Sequence, residues 1–108
     1  MIVVTTEQIT GKQIVETRGI VRGNTIRARH LGRDILAVFR NIVGGEVHEY
    51  VKLIAEAREQ AIDRMVAEAE QLGANAVVGV RFTTSMVMTG AAELLVYGTA
   101  VVIRNPND

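Results

Sequence analysis

The strongest constraint on the fold is an extended run near the C-terminus that has no polar side. Side chains of a strand alternate between its two faces, and residues 93–104 alternate without becoming polar on either face. One face has Leu94, Val96, Gly98, Ala100 and Val102, and the other has Leu95, Tyr97, Thr99, Val101 and Ile103. Such a strand is covered by protein on both faces.

The strongest periodic signal predicts a long amphipathic helix from about Glu46 to Leu72, ended by Gly73. Glu46 and Glu49 suit its N-terminus, where the helix dipole favours carboxylates. The predicted buried side has Val47, Tyr50, Ile54, Ala57, Ala61, Met65 and Leu72. The polar side has Lys52, Glu56, Glu59, Asp63 and Glu70.

The remaining elements are shorter. Apolar residues at spacings of three and four predict a helix from Leu31 to Val43, ended by Gly44 and Gly45. Alternation predicts a strand over 14–21, which residues 25–28 extend, and another over 74–84. In the latter, Ala76, Val78, Val80 and Phe82 are predicted to share one face. Residues 88–93 are predicted to form a loop, and Ile2–Val4 a short strand.

These elements predict an α+β domain that hides part of its surface against copies of itself. One long and one short helix cover one face of a three-stranded sheet, and the sequence offers no further element for the other face. Because the last strand is apolar on both faces, a second copy is the economical cover. We therefore expect a homo-oligomer.

Composition limits the classes of partner. The 108 residues fit one domain, 1–108, and 12 Lys and Arg balance 12 Asp and Glu. No net charge draws the chain to nucleic acid or to anionic lipid, and no apolar run reaches the length of a membrane span. The chain has no cysteine, and no signal peptide is recognisable. The expected location is the cytoplasm, with no nucleic-acid or membrane partner.

The two histidines do not form a metal site within one chain. His48 lacks a second ligand at the helical spacing of three or four residues, and Lys52 occupies the position where one would lie. Glu46 and His48 remain candidate metal ligands only in a site shared between copies. Without cysteine thiolates, the ligand inventory does not favour heavy metals.

Several charged residues have two interpretations. Arg58 and Glu68 flank the predicted buried side of the long helix, and each needs a partner from another element or copy. Alternatively, Arg58 binds an anionic ligand in a cleft. The basic cluster of Arg22, Arg27, Arg29, His30 and Arg33 is interpreted as a solvated turn with salt bridges. No nucleophile with an activating base is recognisable, so an enzyme is unsupported.

The segments GGEVHEY, REQAIDRM, LGANAVVGVRF and YGTAVVI together resemble the YbjQ-like family of small bacterial proteins, sometimes described as heavy-metal-binding. The resemblance extends from about Met1 to Ile103, and Arg58 matches a recurring arginine of the family. It implies a dodecin-like, two-layer subunit with a three-stranded antiparallel sheet on a short and a long helix. It also implies a ring, typically a homopentamer, joined by short extra strands such as Ile2–Val4.

Three functional hypotheses follow. The first is a non-enzymatic homo-oligomer, expected to be pentameric, that binds a small ligand or acts as a scaffold and has no cofactor. Its expected interface residues are Ile2, Val3, Val4, Tyr97, Val101 and Ile103. The second is a metal-binding protein with a site between subunits, and the third is an enzyme or nucleotide binder that uses Arg58 and the basic cluster.

Overall fold

A computed structural model describes residues 1–27, 47–88 and 91–108 of the chain. Side chains are described in the same ranges except at 26–27, 47–51, 53, 86–88 and 91–92. The elements are β1 (Ile2–Val3), β2 (Gln13–Arg27), α1 (Val47–Gln71), β3 (Ala76–Met88) and β4 (Ala91–Arg104). The predicted helix over 31–43 lies outside the described residues.

The sheet has four strands in the order β1-β3-β4-β2. The three long strands are antiparallel, as expected, with β4 between β2 and β3. The prediction of three strands is wrong in detail, because β1 pairs in parallel with β3 of its own chain. The predicted loop over 88–93 is also too long, since β3 runs to Met88 and β4 begins at Ala91.

The long helix is confirmed, and its end follows from local hydrogen bonding. The Ala74 amide donates to the Ala69 carbonyl at 3.1 Å, and the Gly73 amide donates to the Glu70 carbonyl at 3.0 Å. Gly73 has a φ of 76°, which a residue without Cβ adopts at little cost. Leu72 therefore lies beyond the helix and is 40% exposed, contrary to its predicted burial.

The helix packs on one face of the sheet, mainly over β2 and β4. Its buried residues recur at every fourth position, which is the stripe that a packed helix presents: Ala57, Ala61, Met65 and Ala69. The last three join Val21, Val77, Val80, Val96 and Ala100 in one apolar cluster.

Gly23 sets the distance between the helix and β2. A Cβ built at Gly23 would lie 1.9 Å from the Ala61 carbonyl oxygen and 2.5 Å from the Met65 amide nitrogen. Both atoms belong to the helix backbone, which cannot move aside as a flexible side chain does. The absence of a side chain at this position therefore allows the helix to contact the strand.

A β-bulge changes which residues of β3 face the helix. The register slips by one residue between Val78 and Arg81, and Gly79 has a φ of 63°. Consequently Val77 and Val80 both pack towards the helix, whereas Ala76 and Val78 lie in the cluster on the other face. The predicted grouping of Ala76, Val78, Val80 and Phe82 on one face is wrong because strict alternation does not hold across a bulge.

The N-terminal segment covers part of the sheet face opposite the helix. The Val4 amide donates to the Val77 carbonyl, and the Gly79 amide donates to the Thr6 carbonyl at 2.8 Å. Val4 and Ile9 pack against a second apolar cluster that contains Val101 and Ile103. The expectation that the chain has nothing to cover this face is therefore wrong at this end of the sheet.

The side chain of Asn75 fixes the start of β3 against the end of β4. Its Nδ2 donates to the Ile103 carbonyl at 3.0 Å, and its Oδ1 accepts from the Ile103 amide at 2.7 Å. The Asn75 amide also donates to the Val101 carbonyl at 3.1 Å. The side-chain amide thus acts as an additional peptide group in the ladder.

We predict that Gly23→Ala destabilises the fold by about 3 kcal/mol, because its methyl group overlaps the backbone of the helix. Thr17→Ala, at an exposed position of the same strand, is the matched control and should change stability by about 0.5 kcal/mol or less. Urea denaturation followed by circular dichroism measures both free energies of unfolding. Equal stability of the two variants would contradict the steric role of Gly23.

Candidate functional site

An open cleft lies where α1 crosses β2, which is an outer strand of the described sheet. Its volume is about 520 Å³. The lining residues come from three elements and are largely polar: Arg22, Gly23, Asn24, Arg64, Glu68, Glu93 and Leu95. Arg64 and Glu68 belong to the helix, whereas the register places the side chains of Arg22, Asn24, Glu93 and Leu95 on the sheet face opposite it, so the lining comes from both sides of β2.

Arg64 connects the helix to the backbone of β2. Its guanidinium donates a hydrogen bond to the carbonyl oxygen of Asn24. A strand carbonyl at an outer edge otherwise needs water or another strand as its partner. The contact therefore fixes the side chain of Arg64 across one wall of the cleft and occupies an acceptor to which a further strand could pair.

Asn24 connects β2 to β4 on the other wall. Its Nδ2 donates to the Glu93 carboxylate at 3.2 Å, between two half-buried side chains. Asn24 is directly opposite Leu95 in the register, and Glu93 is two residues before Leu95 in β4. Asn24 and Glu93 are thus on the same face of the sheet, where diagonal neighbours can meet.

Two charged groups of the cleft have no partner within the described residues. Arg22 is exposed and Glu68 is half-buried, and neither has an ion pair or side-chain hydrogen bond there. Arg64 and Glu68 are four residues apart on the helix, a spacing that permits an ion pair. None forms, and Arg64 contacts Asn24 instead.

Tyr97 lies between two arginines on the sheet face opposite the helix. The register places Arg22 of β2 and Arg81 of β3 directly across from it. Arg81 donates to the Thr5 carbonyl at 2.8 Å and to the Val80 carbonyl at 2.9 Å, so its guanidinium is held by the N-terminal segment. Tyr97 is 41% exposed.

A second cleft of similar size is formed by the two chain ends. It is lined by Gln8, Ile9, Lys12, Gln13, Ile14 and Pro106, and its volume is also about 520 Å³. Lys12 donates to Asn105 Oδ1 at 2.6 Å, so the single cation of this lining is hydrogen-bonded to a neutral amide. This arrangement brings no group of acids or bases together.

The predicted site residues are dispersed. Arg58 is exposed on the helix and lies outside the first cleft, whereas Glu68, the other charge predicted beside the buried side of the helix, lines that cleft. Val101 and Ile103 are buried within their own chain, whereas Ile2 and Tyr97 keep exposed surface. Val3 is half-buried and packs at the edge of the helix-side cluster.

The metal candidates of the sequence cannot be placed. Glu46 lies outside the described residues, and His48 begins the helix without a described side chain. Of the basic cluster, Arg29, His30 and Arg33 also lie outside them. Within the described part of the chain, no three His, Cys, Asp or Glu residues are grouped as a metal ion would require. In the same part, no helix is long and apolar enough to span a membrane.

Sequence reasoning missed Arg64, Asn24 and Glu93 as neighbours. They are far apart in the chain, and only the strand register and the helix crossing bring them together. Glu68 was indicated by the sequence, because the helical pattern places its charge beside the predicted buried side of the helix.

The fold and its cleft define a small α+β protein in which one long helix packs on a mixed four-stranded sheet. A family model described as "Putative heavy-metal-binding" matches residues 1–104. The chain therefore belongs to the YbjQ-like family, as the sequence motifs indicated.

Relatives of similar length are similar in sequence to this chain over nearly its whole length. A UPF0145 protein of Methanosarcina acetivorans is 61% identical over 105 residues, covering 97% of this chain and 99% of the relative. One from Thermosipho africanus is 55% identical over 108 residues, with full coverage of both chains. Archaea are among the relatives, so the family is not confined to the bacteria in which the sequence resemblance placed it.

A solved structure supports the fold. A protein of unknown function from Pediococcus pentosaceus, assigned to the DUF74 family, superposes with a TM-score of 0.64. The match covers 96% of this chain and 98% of that one at 15% sequence identity. At this identity the likeness shows the fold alone.

We predict that Arg64→Met, which keeps an unbranched apolar stem but removes the donor, destabilises the fold by about 1 kcal/mol through loss of the bond to Asn24. Arg58→Met is the control, since Arg58 is exposed and has no described contact. Chemical denaturation compares the two variants with the original chain. A loss in Arg58→Met as large as in Arg64→Met would contradict the assignment.

Proposed function

We propose that the chain is a non-enzymatic, self-assembling module that forms a ring of identical copies, five being the expected number, and that binds a small ligand in its clefts. The observation that carries the proposal is the exposure of large apolar side chains on both faces of the sheet. Ile20 is 74% exposed, Tyr97 41% and Phe82 44%. Burial of such surface against another copy is favourable in proportion to its area.

The apolar residues on the face opposite the helix are neighbours. The register places Ile20 across from Thr99 and Arg22 across from Tyr97, so Ile20 and Tyr97 are diagonal neighbours on one face. The N-terminal segment covers the far end of this face, around Val101 and Ile103, and leaves Ile20 and Tyr97 accessible. We refer to Ile20 and Tyr97 as the open-face patch.

Phe82 supplies a different apolar surface on the helix side of the sheet. It pairs with Val96, which packs under the helix, but α1 lies mainly over β2 and β4 and leaves β3 less covered. An interface between two different patches is heterologous, and repeated head-to-tail contacts close into a ring when the rotation allows. The distinct positions of Phe82 and the open-face patch therefore favour a ring over a two-fold dimer.

Native mass spectrometry of the untagged protein tests the assembly. We expect one dominant species at five times the 11.8 kDa of the chain. A monomer at micromolar concentration would contradict the proposal that the chain self-assembles, and a two-fold dimer would contradict the proposed ring.

The same measurement after treatment with EDTA separates this proposal from a metal-dependent assembly. Because the exposed surfaces are apolar, chelation should leave the mass unchanged. Dissociation on chelation would instead favour the alternative hypothesis of a metal site between subunits, which agrees with the heavy-metal-binding description of the family.

We predict that Ile20→Lys lowers the assembly mass, because the interface would have to bury an unpaired ammonium group. Glu56→Lys, on the charged side of the helix, is the control and should leave the mass unchanged. Light scattering coupled to size-exclusion chromatography compares the two, and circular dichroism checks that both are folded. An intact assembly in folded Ile20→Lys would exclude the open-face patch from the interface.

A further inference from the structure

The two flanks of α1 face different parts of the sheet. Met65 is buried against the sheet, and the residues before and after it are turned away by about 100° in opposite directions. Arg64 reaches the outer edge of β2, where it donates to the Asn24 carbonyl. Val66 therefore lies on the opposite flank, towards β3, together with Ile62 one turn earlier. Both are half-buried, and Ile62 packs against the helix-side cluster.

Phe82 lies beside this flank at the same level. The register places Gly23, Val96 and Phe82 in one row across β2, β4 and β3. The helix touches the sheet at Gly23, and neighbouring strands are about 4.8 Å apart, so Phe82 lies about 10 Å to one side of that contact. It is 44% exposed. We refer to Phe82, Ile62 and Val66 as the helix–β3 groove.

The helix supplies an acidic rim to this groove. Glu59 is three residues before Ile62, which on a helix is a neighbouring position of the same flank. Its side chain is exposed and has no ion pair among the described residues. Asp63 and Glu70, both exposed, continue the negative charge along the solvent side of that flank. An apolar groove with carboxylates on its rim is suited to a surface that combines apolar and cationic side chains.

The open-face patch has that combination. Arg22 is directly across from Tyr97, and Ile20 is its neighbour on the same face of β2. Arg22 is exposed and has no partner among the described residues, whereas Arg81, on the other side of Tyr97, donates to two backbone carbonyls. If another copy buries this surface, an unpaired guanidinium is costly. Arg22 therefore needs an anionic partner from that copy.

We propose that the helix–β3 groove of one copy receives the open-face patch of the next, and that Arg22 forms an ion pair with Glu59 of the partner subunit. A guanidinium and a carboxylate can form two parallel hydrogen bonds, which fixes the orientation of the two copies. The two surfaces are different, so the contact is head-to-tail, as a ring requires. This inference rests on the proposed self-assembly and names the residues that join the copies.

Charge reversal tests the ion pair. Arg22→Glu and Glu59→Arg should each raise the concentration at which the assembly dissociates by at least about tenfold, because each places like charges together. The double variant brings opposite charges together again and should regain most of that loss. Light scattering over a dilution series measures the dissociation, and circular dichroism checks that every variant is folded.

Glu56→Arg is the matched control for charge reversal. Glu56 is exposed on the side of the helix that is turned away from the sheet. The substitution alone should leave the assembly unchanged, and combined with Arg22→Glu it should restore nothing.

A covalent link tests the same contact without reversing a charge. The chain has no cysteine, so Arg22→Cys combined with Glu59→Cys supplies the only thiols. Arg22 is on the sheet face opposite the helix, and Glu59 is on the helix flank away from β2, so a short bismaleimide can join them only between copies. A denaturing gel should show a ladder of linked chains. Arg22→Cys with Glu56→Cys is the control and should remain unlinked.

The outcomes separate this proposal from that of self-assembly. If the original chain is a monomer, both are wrong. If it assembles but Arg22→Glu dissociates no more readily, or the double variant recovers no more than the Glu56 control, the pair of Arg22 and Glu59 is wrong and the ring stands. Where a charge variant fails to fold, the cysteine variant decides, because an unlinked or merely dimeric product from the folded protein overturns the head-to-tail contact.

Discussion

The contact between the helix and β2 at Gly23 is the constraint on which the rest of the structure depends. Only a residue without Cβ lets the backbone of Ala61 and Met65 approach the strand so closely. That approach closes the apolar cluster beneath the helix and also places Arg64 within reach of the strand edge. The core and the candidate site thus arise from the same packing contact.

Among the described residues, placing the helix over β2 leaves other parts of the sheet uncovered. The N-terminal segment compensates at one end, where it pairs along β3 as far as Val80 and packs against the cluster around Val101. It does not cover the open-face patch or Phe82. Exposed apolar surface in two separate places is a feature of proteins that contact other chains.

Much of the fold could be predicted from the sequence, and the failures have specific physical causes. The long helix, its end at Gly73 and the doubly apolar last strand were correct because each depends on residues close together in the chain. The faces of β3 were wrong because a bulge at Gly79 interrupts alternation. The fourth strand was missed as a member of the sheet because its pairing with β3 joins residues more than seventy positions apart. Of the site, the sequence indicated Glu68, as a charge beside the buried side of the helix, and Arg22, as a member of the basic cluster.

The sequence by itself determined the periodicities: which segments form helix or strand, which side of the helix is apolar, and which family the chain belongs to. These properties follow from side chains three or four residues apart in a helix and two apart in a strand. Only the tertiary structure decided that Asn75 joins two strands, that the N-terminal segment covers the sheet, and that Arg22 and Glu68 line one cleft. Those relations depend on register and crossing geometry between distant segments, which local patterns do not specify.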